Sequence, residues 1–110
     1  MKIITLTLNP ALDKNAKVDG LIPASKMRCH SIQYQSGGGG INVSRILKRL
    51  EVDSNCVFPS GGDTGIHLTR LLKEEGVQTN PISIKDWTRE NLAIVDTNTN
   101  LQYRFGMPGN

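Results

Sequence analysis

Residues 2–8 (KIITLTL) carry apolar side chains at Ile4, Leu6 and Leu8 and hydroxyls at Thr5 and Thr7, with Ile3 extending the apolar run. Alternation with a period of two predicts a strand, here one of largely buried character. Asn9-Pro10 ends it, because proline lacks the N–H that a ladder needs. Residues 11–28 are polar and show no clean period, so they read as an irregular excursion with a turn at Asp19-Gly20. Residues 29–35 fit a second, more exposed strand. After a run of four glycines, Gly37 to Gly40, the side chains of Val43, Ile46, Leu47 and Leu50 fall at i, i+3, i+4 and i+7. That spacing predicts a helix with these four inward and with Ser44, Arg45, Lys48 and Arg49 off that face.

The pattern then repeats in shorter form. Residues 54–58 (SNCVF) predict a strand ending at Pro59, and Gly61-Gly62 a second glycine turn. A helix follows over roughly 64–75, with Leu68, Leu71 and Leu72 inward and Gly76 closing its end. Residues 77–84 fit another strand. The segments 91–97 (NLAIVDT) and 101–107 (LQYRFGM) flank Asn98-Thr99-Asn100 and predict a hairpin. In its second arm Leu101, Tyr103 and Phe105 point one way, and Gln102 and Arg104 the other. Strands alternating with helices predict an α/β fold on a parallel sheet. With two or three parallel strands in reach, one edge and one face are expected to stay uncovered.

Composition narrows the picture. A chain of 110 residues allows one small domain. The 13 basic and 10 acidic side chains leave a net charge of +3, spread along the chain. The densest basic stretch, Arg45, Lys48 and Arg49, is too sparse for a nucleic-acid stripe. Cys29 and Cys56 lie far apart outside any C-x-x-C spacing, so neither a disulfide framework nor a zinc site is expected. Two lone thiols fit a reducing cytoplasm. The start is too short and polar for a signal segment, and no run approaches the ~20 apolar residues of a membrane helix.

The chemistry concentrates in few places. Glycines let a backbone approach a ligand closely, and a helix N-terminus favours anions. The glycine run lacks the Gly-Lys-Ser/Thr of a Walker A loop and the spacing of a dinucleotide fingerprint, and composition alone favours a flexible turn. Asn42 sits at the helix start, as a cap or a ligand hydrogen-bonder, with capping the simpler reading. Asp13 follows the first strand, where ligands of open α/β sheets gather; by position alone it reads as a solvated loop aspartate. Lys26, Arg28, Arg89 and Arg104 are cations outside the helices that could meet a phosphate. His30 and His67 stand apart from any cysteine or carboxylate cluster and read as structural or surface residues.

Five stretches carry a resemblance: TLTLNPALD (5–13), GGGGINVSR (37–45), FPSGGDTGIHL (58–68), KDWTRENL (85–92) and QYRFGMPG (102–109). Together, in order and register, they resemble the phosphofructokinase-B branch of the ribokinase family, in its minor 6-phosphofructokinase form. The resemblance implies the N-terminal part of a ribokinase-like, Rossmann-type parallel sheet with helices, plus a small β-lid over about 14–35 and 88–106; residues 1–110 would be an incomplete single domain. It implies ATP-dependent phosphorylation of fructose 6-phosphate, with tagatose 6-phosphate and fructose 1-phosphate as alternatives. Asp13 matches the aspartate that binds sugar hydroxyls, and Gly38, Gly39 and Asn42 match sugar contacts. Arg89 and Arg104 match arginines near the sugar phosphate. Lys26 and Arg28 fall in the lid segment, near the phosphates and in some members a neighbouring subunit, and the lid implies a homodimer. Ser36 departs from the proline common before the glycines. No G-A-G-D-type motif is present, so the resemblance places the catalytic base, and the sites for ATP and Mg2+, downstream. It implies that these residues alone do not turn over and hold neither cofactor well. A non-catalytic lid or dimerisation module, or a gene remnant, is the alternative.

Overall fold

The computed structural model describes residues 2–109. Seven strands and two helices run in the order β1 (Ile4–Leu6), β2 (Ala11–Val18), β3 (Cys29–Gly37), α1 (Gly39–Arg49), β4 (Asn55–Ser60), α2 (Gly62–Glu74), β5 (Gln78–Ser83), β6 (Arg89–Asp96) and β7 (Leu101–Phe105). They make two sheets. The first is parallel, in the order β1-β4-β5; the second is mixed, in the order β3-β2-β6-β7. The α/β class is therefore as expected.

The core joins the two sheets. Cys56 and Phe58 of β4, Ile41 of α1, Leu68 and Leu72 of α2, and Val77 pack with Leu12 of β2. Leu12 thus anchors the base of the second sheet in the aliphatic core beneath the helices. In α2, Leu68 and Leu72 are fully buried, Leu71 packs against them, and Gly76 closes the helix at φ +79°, as the periodicity predicts.

Four expectations fail. Residues 11–18 are a strand and not an irregular excursion. Their polar side chains are held by ladder partners on both sides, β3 antiparallel and β6 parallel, a context no local pattern reveals. In β1 the faces are reversed: Thr5 and Thr7 are buried, while Ile4, Leu6 and Leu8 are 65%, 60% and 76% exposed. The helix α1 is reversed in the same way. It buries Ile41 and Ser44 and leaves Val43, Ile46 and Leu50 exposed. The contact between the two is a hydroxyl network, with Thr5 and Ser44 hydroxyls 2.6 Å apart and Ser54 donating to Ser44 at 2.9 Å. Buried hydroxyls that satisfy one another can occupy an interior that hydropathy assigns to leucine. The strand β4 also runs through Pro59 to Ser60. The sheet face bearing Ile4, Leu6 and Leu8 is left uncovered, as expected for so few parallel strands.

The glycine run has a packing role. A side chain at Gly38 (φ +130°) would meet the Thr7 methyl at 2.5 Å, and one at Gly40 would meet the Thr7 hydroxyl. Glycine lets α1 start directly against the end of β1, where the Ile41 N–H donates to Thr7 Oγ1 at 2.8 Å.

Candidate functional site

Strand register assembles the site. In β2–β6 pairing Asp13 sits opposite Asn91, in β2–β3 pairing opposite Gln35, and in β6–β7 pairing Ala93 sits opposite Arg104. Directly paired residues share a sheet face. One face of the second sheet therefore carries Asp13, Asn15, Gln35, Asn91, Gln102 and Arg104. These six, with Lys14, Leu92, Ala93, Phe105 and Gly106, line a cleft of about 270 Å³. An acid, a guanidinium and carboxamides around one polar cleft suit a hydroxyl-rich anion.

The geometry around Asp13 is close. A side chain at Gly37 would meet Asp13 Oδ2 at 2.5 Å, so only glycine leaves that carboxylate room. Asn91 Nδ2 donates to Asp13 Oδ1 at 3.2 Å, and the Met107 N–H donates to Asn91 Oδ1 at 3.1 Å. Asn91, Gln35 and Gly37 escape sequence reading as site residues. For Asn91 and Gln35 the signal is the register with Asp13, set by contacts far along the chain; Gly37 stands out in the sequence only as the first of the four glycines.

The other expected site residues fall in three places. Gly38, Gly39 and Asn42 lie at the start of α1, which has no side-chain cap and no acidic residue in its first turn. Asn42 does not cap the helix; its backbone N–H reaches the Gly38 carbonyl and its side chain is exposed. Arg89 does not line the cleft. Its Nη1 donates to the Met107 carbonyl at 3.0 Å and its Nη2 to the Asn9 carbonyl at 3.2 Å, while its buried Nε has no partner. Lys26 is exposed on the β2–β3 connection beside Arg28, and neither lines the cleft of its own chain.

The far end of the second sheet is held by carboxylates. Asp96 accepts the Leu21 N–H at 3.1 Å and the Asn98 N–H at 2.9 Å, and these bonds to the ionised form, Leu21 first, hold its pKa below the usual carboxylate value. Asp19 is lowered likewise, by the Thr97 hydroxyl and then by His30. His30 is thus a structural partner of Asp19 at 2.9 Å, and His67 rests on the Tyr34 ring, 4.8 Å between centroids.

A larger groove of about 480 Å³ between α2 and β5 is lined by Ile66, Arg70, Lys73 and Pro81, among others. It has no carboxylate among its lining residues, whereas the smaller cleft combines an acid, a guanidinium and carboxamides. Among the described residues no group of three or more His, Cys, Asp or Glu could hold a metal ion, and no helix is long and apolar enough to cross a membrane.

A parallel sheet with two helices, bearing a second sheet with an acid and an arginine over a cleft, defines a protein of the α/β class. Residues 7–109 match the pfkB family of carbohydrate kinases, and the chain belongs to that family. The ATP-dependent 6-phosphofructokinase isozyme 2 of Mycobacterium tuberculosis (strain ATCC 25618 / H37Rv) is 48% identical over 108 residues, covering 98% of this chain and 32% of the relative. Its counterpart in Escherichia coli K12 is 43% identical over 109 residues, covering 99% and 35%. The crystal structure of phosphofructokinase-2 from Escherichia coli in complex with fructose-6-phosphate aligns with a TM-score of 0.92 at 44% identity, covering 98% of this chain and 36% of that one. Matches to D-tagatose-1-phosphate kinases and 1-phosphofructokinases are more distant. The chain spans about a third of the length of the 6-phosphofructokinases it matches.

Proposed function

We propose that this chain forms the sugar-phosphate side of an ATP-dependent 6-phosphofructokinase that converts fructose 6-phosphate to fructose 1,6-bisphosphate. The observation that carries the reading is the shared cleft of Asp13, Asn91 and Arg104, in a chain this similar to 6-phosphofructokinases. Asp13 accepts hydrogen bonds from sugar hydroxyls. Arg104 meets the sugar phosphate, and Arg89, bonded to the Met107 and Asn9 carbonyls, braces the chain beside the cleft. The uncapped start of α1, with Gly38, Gly39 and Asn42, binds the other side of the sugar. The base that deprotonates the attacking hydroxyl, and the contacts to ATP, lie in the two-thirds of the relatives outside the aligned region. ATP supplies the transferred phosphoryl group. Mg2+ would be held, with the phosphates of ATP, by residues of the complete kinase. The lone thiols, both free, fit a cytoplasmic enzyme.

The test is a graft in which this chain replaces the aligned third of the Escherichia coli isozyme. Arg104→Ala will raise the KM for fructose 6-phosphate roughly 10- to 100-fold, the range for a lost charge-assisted hydrogen bond. The KM for ATP will stay unchanged. An unaltered sugar KM would remove Arg104 from the site.

A homodimer through the second sheet is part of the same reading. On the face opposite Asp13 and Arg104 the register places Leu101 and, at the rim of the cleft, Phe105, each about half exposed, and Ile32 is exposed likewise. Lys26 and Arg28, outside their own cleft, would then reach the partner's phosphate. In sedimentation this chain will run as a dimer, and Phe105→Asp, a charge in an apolar contact, will make it a monomer. A wild-type monomer at all concentrations would contradict the dimer.

A further inference from the structure

We infer that Asn91 is a positioning residue, which aims Asp13 at the sugar and locks the chain leaving β7 to the same point. The inference rests on the sugar-site reading above. The amide has two different ends, and the structure uses both. Asp13, as a carboxylate, can only accept, so the Asn91 NH2 must face it. The Met107 N–H can only donate, so the Asn91 oxygen must face it. The two partners thereby fix the orientation of the amide. Two residues earlier on the same strand, Arg89 Nη1 holds the Met107 carbonyl. The Met107 backbone is therefore gripped by its N–H and its carbonyl from β6. Arg89 also ties this point to the Asn9 carbonyl before β2. Asp13, the β1–β2 turn and the exit of β7 form one clamp, with Asn91 as the piece that touches the carboxylate. Gly37 walls the carboxylate on its other side, so Asn91 sets which way Asp13 leans.

This predicts a split that a merely structural residue would not give. Asn91→Asp keeps an oxygen for the Met107 N–H but removes the donor to Asp13 and opposes a like charge to it. Asn91→Leu removes both bonds. In the present chain, followed by amide hydrogen exchange, Asn91→Leu will speed exchange at Met107 about tenfold, whereas Asn91→Asp will leave it near the wild-type rate. In the grafted kinase, Asn91→Asp will raise the KM for fructose 6-phosphate about tenfold, and will add nothing in an Asp13→Ala background, because its effect runs through Asp13. Unchanged exchange at Met107 in Asn91→Leu, or an equal KM penalty with and without Asp13, would overturn the inference. If Asp13→Ala alone left the sugar KM unchanged, the sugar-site reading would fall instead, and with it the aiming role; the exchange data would still decide whether the clamp exists.

Discussion

Asp13→Ala, in a complete kinase carrying this chain, will lower kcat/KM for fructose 6-phosphate by about 100-fold or more, the scale of losing a charged hydrogen-bond partner at a reacting substrate. The effect is expected to exceed that of any other single cleft substitution, because this carboxylate is built in from three sides. It stands on β2 between two ladders, Gly37 makes room for Oδ2, and Asn91 holds Oδ1. An acceptor fixed before the ligand arrives loses little entropy on binding. Steady-state kinetics with varied sugar phosphate checks it. Thermal unfolding of the variant serves as the control, and is expected to change little, since the carboxylate faces a cleft and has no buried charge to leave unpaired.

The largest effect on stability is expected at Phe58. Its ring is fully buried among Leu12, Ile41, Leu68 and Leu72, where the first sheet, both helices and the base of the second sheet meet. Phe58→Ala will cost about 3–5 kcal/mol, from lost burial and the cavity left behind. A small domain has about 5–15 kcal/mol in total, so the variant will lose a large share of its stability. Urea unfolding followed by circular dichroism reads the change in midpoint. A loss under about 1 kcal/mol would mean that the two sheets do not share this core.

How much the sequence disclosed follows from where the patterns are local. The helix α2 was legible because Leu68, Leu71 and Leu72 face an ordinary aliphatic core. The hairpin of β6 and β7 was legible because alternation and the Asn98-Thr99-Asn100 turn are short-range signals. The strand β2 was not, since Asp13, Lys14, Asn15 and Lys17 serve a polar cleft and a mixed ladder. The reversed faces of β1 and α1 were hidden because Thr5, Ser44 and Ser54 satisfy one another inside, while Ile4, Leu6, Leu8, Val43, Ile46 and Leu50 point outward. In the site, Asp13 and Arg104 carry a chemical signature that the family resemblance picks out. Asn91 carries none until β2 and β6 are paired, because its partner lies 78 positions away.

The most direct measurement is ADP release by the graft of this chain onto the remaining two-thirds of the Escherichia coli isozyme, with fructose 6-phosphate as the varied substrate. A turnover that depends on fructose 6-phosphate and collapses with Asp13→Ala is the predicted result. A folded graft that releases no ADP with fructose 6-phosphate, or whose turnover is indifferent to Asp13, would contradict the assignment of this cleft to the sugar phosphate.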